Sequence, residues 1–262
     1  MNSIFLIFSF ILGTIIGSFL NVVIFRFNTG LTLGGRSKCF SCSKTLTWSE
    51  LVPLFSFLFQ MGKCRKCKSK ISWQYPLIET ISGLLFILIF YFFPPVSIQS
   101  SFITFFYLLI TSLLIVITVY DIRHKIIPDI LVYTFSAIAF VKLFISPELA
   151  FIMPSITSLL SGPIIALPFA LLWLFSKGEW MGLGDAKLVL GIGWTLGLMN
   201  ALSAVVLAFW IGAVISVLWM FITMRKFKSK YEIPFGPYLV LGMYLVLFFN
   251  IQVIDFGNLF LQ

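Results

Sequence analysis

The chain has 262 residues, of which 60% are apolar, 18% aromatic and only 10% charged, with a mean hydropathy of +1.07 and a net charge of +9. That composition excludes a soluble globular domain and describes an all-α, polytopic membrane protein. The positive charge is spread in clusters beside apolar runs, so it reads as a topology signal and as contact with anionic lipid, not as a nucleic-acid surface.

The first apolar stretch, 4–25, follows Met1-Asn2-Ser3, which lacks a basic start, and is longer than a signal-peptide core. It is expected to be retained as a transmembrane helix, residues 1–25. Loop 26–76 comes next and carries Arg26, Arg36, Lys38, Lys44, Lys63, Arg65, Lys66, Lys68 and Lys70. It also holds all four cysteines, as Cys39-Phe40-Ser41-Cys42 and Cys64-Arg65-Lys66-Cys67, with residues 43–63 between the pairs. Two Cys-x-x-Cys knuckles at about this separation offer four thiolates to a tetrahedral, structural Zn²⁺. Two disulfides or four idle thiols are the alternatives, and a reducing cytosolic loop with basic neighbours favours metal over both. The metal would fold a small domain, 26–76, that has few apolar residues of its own.

Beyond the loop, transmembrane helices are expected at about 77–93, 101–120, 128–146, 155–175, 184–199, 201–224 and 234–255, about eight in all with the first. No internal repeat is apparent. Arg123 with Lys125, Lys177 with Lys187, and Arg225, Lys226, Lys228 and Lys230 fall on the same side as loop 26–76, while Lys142 falls opposite. By the positive-inside rule the loop is cytosolic and both termini lie outside. The division this implies is a first helix, 1–25, a zinc loop domain, 26–76, and a transmembrane core, 77–262.

Two aspartates sit beside these apolar runs. Asp121 closes the third span in Tyr120-Asp121-Ile122-Arg123-His124-Lys125-Ile126-Ile127-Pro128-Asp129, and Asp185 opens the sixth in Gly182-Leu183-Gly184-Asp185-Ala186-Lys187. Carboxylates there are costly and ask for a function. If the two helices are neighbours, both carboxyls reach one water, as aspartic proteolysis requires: one activates the water and the other donates a proton to the scissile carbonyl. Gly182 and Gly184 let the chain bend close to Asp185. The same residues also read as ordinary helix-end charges, with Asp185 an N-cap and Asp121 the partner of Arg123 or Lys125. Asp129, just after Pro128, suits the first turn of a helix, in a structural or supporting role. His124 lies in a solvated basic turn without a serine or cysteine partner and reads as a charge contact to lipid. Pro234-Phe235-Gly236-Pro237 breaks the last span, leaving backbone that could hold an extended peptide, or simply starting a helix on a proline.

Taken in order, Gly17-Ser18-Phe19-Leu20-Asn21-Val22-Val23 with Arg26, the paired Cys-x-x-Cys loop, Ile71-Ser72, Tyr75-Pro76 with Glu79, the Asp121 to Asp129 segment, Gly-Leu-Gly-Asp-Ala-Lys at 182–187 and Pro-Phe-Gly-Pro at 234–237 resemble the type IV prepilin peptidases. The resemblance runs from about residue 13 to about residue 245. Phe40 departs from it, standing where members often have proline. The Gly-x-Gly-Asp element alone is shared with presenilin-like and signal-peptide-peptidase enzymes, but the Pro-Ala-Leu element expected of those is absent.

The resemblance implies an aspartic endopeptidase of the bacterial plasma membrane, with its active site facing the cytosol, that removes the basic leader of prepilins or pseudopilins. Asp121 and Asp185 match the family's catalytic pair. Members with the full cysteine loop are typically also N-methyltransferases that use S-adenosylmethionine to methylate the new N-terminal residue, commonly phenylalanine. No residue of this sequence is assigned to the methyl donor. Two other classes explain less: an ion-coupled transporter leaves the cysteine loop without a purpose, and a membrane zinc adaptor leaves the aspartates without one.

Overall fold

The structure, a computed structural model, describes residues 3–30, 32–146, 148–223 and 234–253. The predicted basic cluster Arg225, Lys226, Lys228 and Lys230 lies outside the described residues. Among the described residues there is no strand, only three isolated bridges, and nine α-helices. The chain forms two compact units, Met1–Val116 and Ile117–Gln262.

In the first unit, α1 (Ser3–Arg26) packs against α3 (Gln74–Phe92), and α2 (Phe55–Phe59) is a short helix within the intervening loop. Small residues let the two long helices touch backbone to backbone. A methyl group at Gly13 would stand 2.6 Å from the Ser82 carbonyl oxygen, so only glycine fits there. Arg26, at the end of α1, donates from Nη1 to the carbonyls of Thr32, Leu33 and Gly34 at 2.8, 3.1 and 2.7 Å, and so folds the start of the loop back on the helix that precedes it. α4 (Ile98–His124) begins in this unit, where Ser97 and Ser100 exchange side-chain-to-backbone bonds ahead of its first turn.

The last turns of α4 belong to the second unit, with α5 (Asp129–Lys142), α6 (Ile156–Ser176), α7 (Leu183–Leu196), α8 (Leu198–Thr223) and α9 (Gly236–Phe249). α7 is its centre, packed by α5, α6, α8 and α9. Leu188 and Ile192 of α7, Phe135 of α5 and Leu239 and Met243 of α9 are fully buried. Against α6 the approach again depends on glycine, since a methyl at Gly193 would lie 2.6 Å from Gly162 Cα, and Ser161 Oγ donates to the Gly193 carbonyl at 2.9 Å. Such small-residue contacts and interhelical hydrogen bonds hold helices together where lipid removes the hydrophobic drive.

Each predicted span corresponds to a helix with ends within a few residues, except that the last helix stops at Phe249, well short of the expected 255, which lies outside the described residues; the count of about eight spans is not established. Among the described residues five helices, α1, α3, α4, α6 and α8, are long and apolar enough to cross a membrane, and the chain is a multi-pass membrane protein. α5, α7 and α9 have 14 residues each, about 21 Å of rise against a hydrocarbon core of about 30 Å. Breakers end them early: Gly197 (φ 78°) closes α7, and Asn250 (φ 50°) closes α9 in the left-handed conformation.

Candidate active site

Asp121 lies in the last turn of α4 and Asp185 in the first turn of α7. Both are buried, with 4% and 8% of their surface exposed. The second unit gathers the residues beside them at Ile127, which packs against Gly184, next to Asp185, and against Gly236, the donor to Asp121. Asp185 is not the N-cap. That position is taken by Gly182, whose carbonyl accepts the Asp185 N–H at 3.2 Å, and the Asp185 carboxyl lies back over it: a methyl at Gly182 would stand 3.6 Å from Oδ2. Three residues into the helix, the carboxylate still gains from the partial positive charge of the helix start.

The Asp121 carboxyl is held from a distant part of the chain. Its Oδ2 accepts the backbone N–H of Gly236, the first residue of α9, at 3.1 Å. The glycine leaves room for that carboxyl, since a methyl there would lie 2.7 Å from Oδ2 and 3.4 Å from Ile127 Cδ1 and would displace the Asp121 side chain. Ile127, in the connection from α4 to α5, also fills the gap at Gly184, where a methyl would meet its Cβ at 2.8 Å. One isoleucine thus packs between the glycines that neighbour the two aspartates. Pro-Phe-Gly-Pro does start a helix on a proline, with Pro237 in the first turn of α9, and its Gly236 supplies a donor to the site.

Asp129 occupies the first turn of α5, as expected, and pairs with Lys187 at 2.7 Å, whose ammonium also lies 4.9 Å above the Tyr133 ring. Ser136 of α5 donates to the Lys187 carbonyl at 3.3 Å. These contacts fix the start of α7, and so Asp185, against α5. His124 is exposed, with its ring 4.4 Å from that of Tyr120.

The loop of the first unit gathers the four cysteines. Their sulfurs lie within 4.8 Å of one another, and Cys39 Sγ stands 3.8 Å from Cys67 Sγ. A tetrahedral site with Zn–S bonds of about 2.3 Å has sulfurs about 3.8 Å apart, so the group has the dimensions to hold a metal ion. All four are free, which sets aside the disulfide alternative. The two knuckles also reveal a repeat. Cys39 N–H bonds to Lys44 O and Ser43 N–H to Cys39 O; 25 residues on (64 minus 39), Cys64 N–H bonds to Ser69 O and Lys68 N–H to Cys64 O, each at 2.9 Å. Ser43 and Lys68 share the left-handed φ that closes each turn, at 53° and 59°.

Within the loop, backbone N–H groups of Cys42 and then Ser41 hold the Cys39 thiol down to about 6. Glu50, buried, accepts the Thr47 N–H at 2.9 Å and pairs with Lys44 at 2.9 Å, which lowers its carboxyl from 4.5 to about 2. A depressed carboxylate stabilises the folded loop above about pH 4.5, and that contribution is lost as pH falls toward 2. Glu79, marked in the sequence only as part of a motif, has a structural partner there: it accepts the Leu54 N–H at 2.8 Å and ties the loop to α3.

Residues 108–217, which contain both aspartates, match the model of the type IV leader peptidase family, and residues 11–93, which contain the four cysteines, match that of the bacterial peptidase A24 N-terminal domain. A Bacillus subtilis (strain 168) protein named prepilin leader peptidase/N-methyltransferase is 32% identical over 249 residues, covering 94% of this chain and 95% of its own. The chain belongs to the type IV leader peptidase family. A protein of the same name from Vibrio cholerae is 29% identical over 97% of this chain and 100% of its own, and one from Pectobacterium carotovorum is 29% identical over 88% of each. No solved structure gives a significant match.

Proposed function

We propose that this family member is an aspartic endopeptidase of the bacterial plasma membrane that removes the basic leader of type IV prepilins or pseudopilins at the cytosolic face and then N-methylates the residue exposed. The observation that carries this reading is the placing of Asp121 and Asp185, two buried carboxyls from different helices, beside glycines that pack on one isoleucine, Ile127, with the Gly236 N–H fixing Asp121. The division of labour is a first helix, 1–25, a metal loop, 26–76, and a peptidase core, 77–262.

The chemistry requires one proton shared by the pair. The ionised carboxylate takes a proton from water as the water oxygen bonds to the scissile carbonyl carbon, and the protonated partner gives its proton to the carbonyl oxygen. Collapse of this tetrahedral species breaks the C–N bond, and the nitrogen leaves with the proton first taken from water. Cys39, Cys42, Cys64 and Cys67 would hold a structural zinc; four sulfur ligands would leave it no position at which to activate water. S-adenosylmethionine, as co-substrate, supplies the methyl group.

Purified protein in lipid, given a prepilin peptide, is expected to release the leader and a product that begins at the mature residue, one methyl heavier when S-adenosylmethionine is present, as read by mass spectrometry. A carboxylate pair has no means of delivering a methyl group to an amine, so the Asp185→Asn protein should still methylate a pre-cleaved peptide beginning with phenylalanine. A folded mutant that does neither would show that the activities share one site. Gly236→Ala should insert normally yet cleave about 10²-fold more slowly, because its methyl displaces the Asp121 carboxyl and misplacement of a reacting group by about 1 Å costs about that much. Rates close to those of the unsubstituted protein would mean that Asp121 does not depend on the Gly236 contact.

A further inference from the structure

The apolar side of loop 26–76 holds no residue assigned to either activity. Phe57 of α2 turns inward, its ring 5.0 Å from that of Trp73. Around it Trp48, Phe55, Leu58, Phe59 and Met61 all face outward, Trp48 with 80% and Met61 with 87% of their surface exposed. Single exposed apolar side chains are ordinary, but a contiguous set marks an interaction surface. Trp48, Val52, Phe55 and Phe59 also line, with Arg65, a groove of about 320 Å³.

Three observations say what covers this face. Both ends of the loop continue into helices long and apolar enough to cross the bilayer, α1 ending at Arg26 and α3 starting at Gln74, and Trp73 stands exposed one residue before α3, where membrane proteins carry their aromatic belt. The residue just before α2 is fastened below the rim of the membrane helices, since the Leu54 N–H bonds to Glu79, five residues into α3 and about 7.5 Å along its axis. The charge is complementary to anionic lipid: residues 27–76 carry eight Lys or Arg against a single acid, Glu50, which is already paired with Lys44.

We propose that α2 and its flanking aromatics form an interfacial anchor, laying the cysteine loop on the bilayer with the Trp48–Phe59 face among headgroups and upper acyl chains and its basic residues on anionic phosphates. The loop is then a membrane-surface module and not a free cytosolic domain. The anchor is independent of the chemistry proposed for the aspartates.

The test uses the full chain reconstituted in phosphatidylcholine bilayers with and without phosphatidylglycerol, some lipids brominated high on the acyl chain. The fluorescence difference between the unsubstituted protein and Trp48→Phe isolates Trp48. That signal is expected to lose most of its intensity to the brominated lipid, to resist aqueous iodide, and to respond more weakly once phosphatidylglycerol is removed. Phe55→Ser with Phe59→Ser, which leaves the buried Phe57 in place, should restore iodide access. Should that variant misfold, the quenching of the unsubstituted protein still decides. Quenching of Trp48 by iodide and not by lipid overturns the proposal, as does a Trp48 signal indifferent to lipid that responds to S-adenosylmethionine, because the groove would then take the methyl donor. Absent leader cleavage would sink the enzymatic reading alone, since this readout uses no activity.

Discussion

Asp121→Asn and Asp185→Asn are each expected to slow leader cleavage by about 10⁴-fold or more, because a positioned acid or base contributes about 10²–10⁴-fold and two groups acting as one unit fail together. The double mutant should be little worse than either single one. Asparagine matches aspartate in shape and keeps an oxygen to accept the Gly236 N–H, so the 3.1 Å contact that ties α4 to α9 can survive. The amide also removes a charge from a buried position, which relieves desolvation cost and leaves insertion and abundance near normal. Loss of rate with unchanged protein is therefore a chemical effect. The check is product formation by mass spectrometry on purified, reconstituted protein; cleavage close to that of the unsubstituted enzyme in either mutant would remove that residue from the mechanism.

Long apolar runs announced every membrane helix, because hydropathy is a local sum. The same sum cannot tell lipid from protein as the apolar surroundings. α7 reads as a span although its 14 residues are enclosed by α5, α6, α8 and α9. The aspartates stood out because charge beside such runs is expensive, and Asp129 was legible as a first-turn acid. What holds them was not: the Gly236 bond to Asp121 crosses 115 residues of sequence, the Lys187 bond to Asp129 crosses 58, and only folding brings Ile127 between Gly184 and Gly236. Pro234 and Pro237 lack an N–H, so within Pro-Phe-Gly-Pro only Phe235 and Gly236 can donate, and that narrowing is the one hint in the sequence. The knuckle repeat is hidden in the sequence for a related reason. Lys38-Cys39-Phe40-Ser41-Cys42 and Lys63-Cys64-Arg65-Lys66-Cys67 share only a lysine and two cysteines, since what recurs is a backbone turn with a left-handed residue after the second cysteine.

Changing Cys39 and Cys64 together to serine should take the chain from one bound zinc to none and open the loop to protease. One ligand is lost from each knuckle, so neither turn retains its pair. Among the described residues between 27 and 73 the buried hydrophobic side chains are only Phe57 and Cys64. Burying a phenylalanine is worth about 3 kcal/mol at most. A structural zinc in small finger peptides supplies about 10–16 kcal/mol, several times that contribution. The loop would remain tethered where Arg26 holds Thr32 and Glu79 holds Leu54, so new trypsin cuts are expected beyond Leu54, at Lys63, Arg65, Lys66 and Lys68, and not at the helices. Both aspartates lie in the other unit, and cleavage of the leader should persist in the zinc-free protein. Metal analysis settles the first half: freshly purified, unsubstituted protein without zinc would leave the four sulfurs without their ion and the loop without its source of stability.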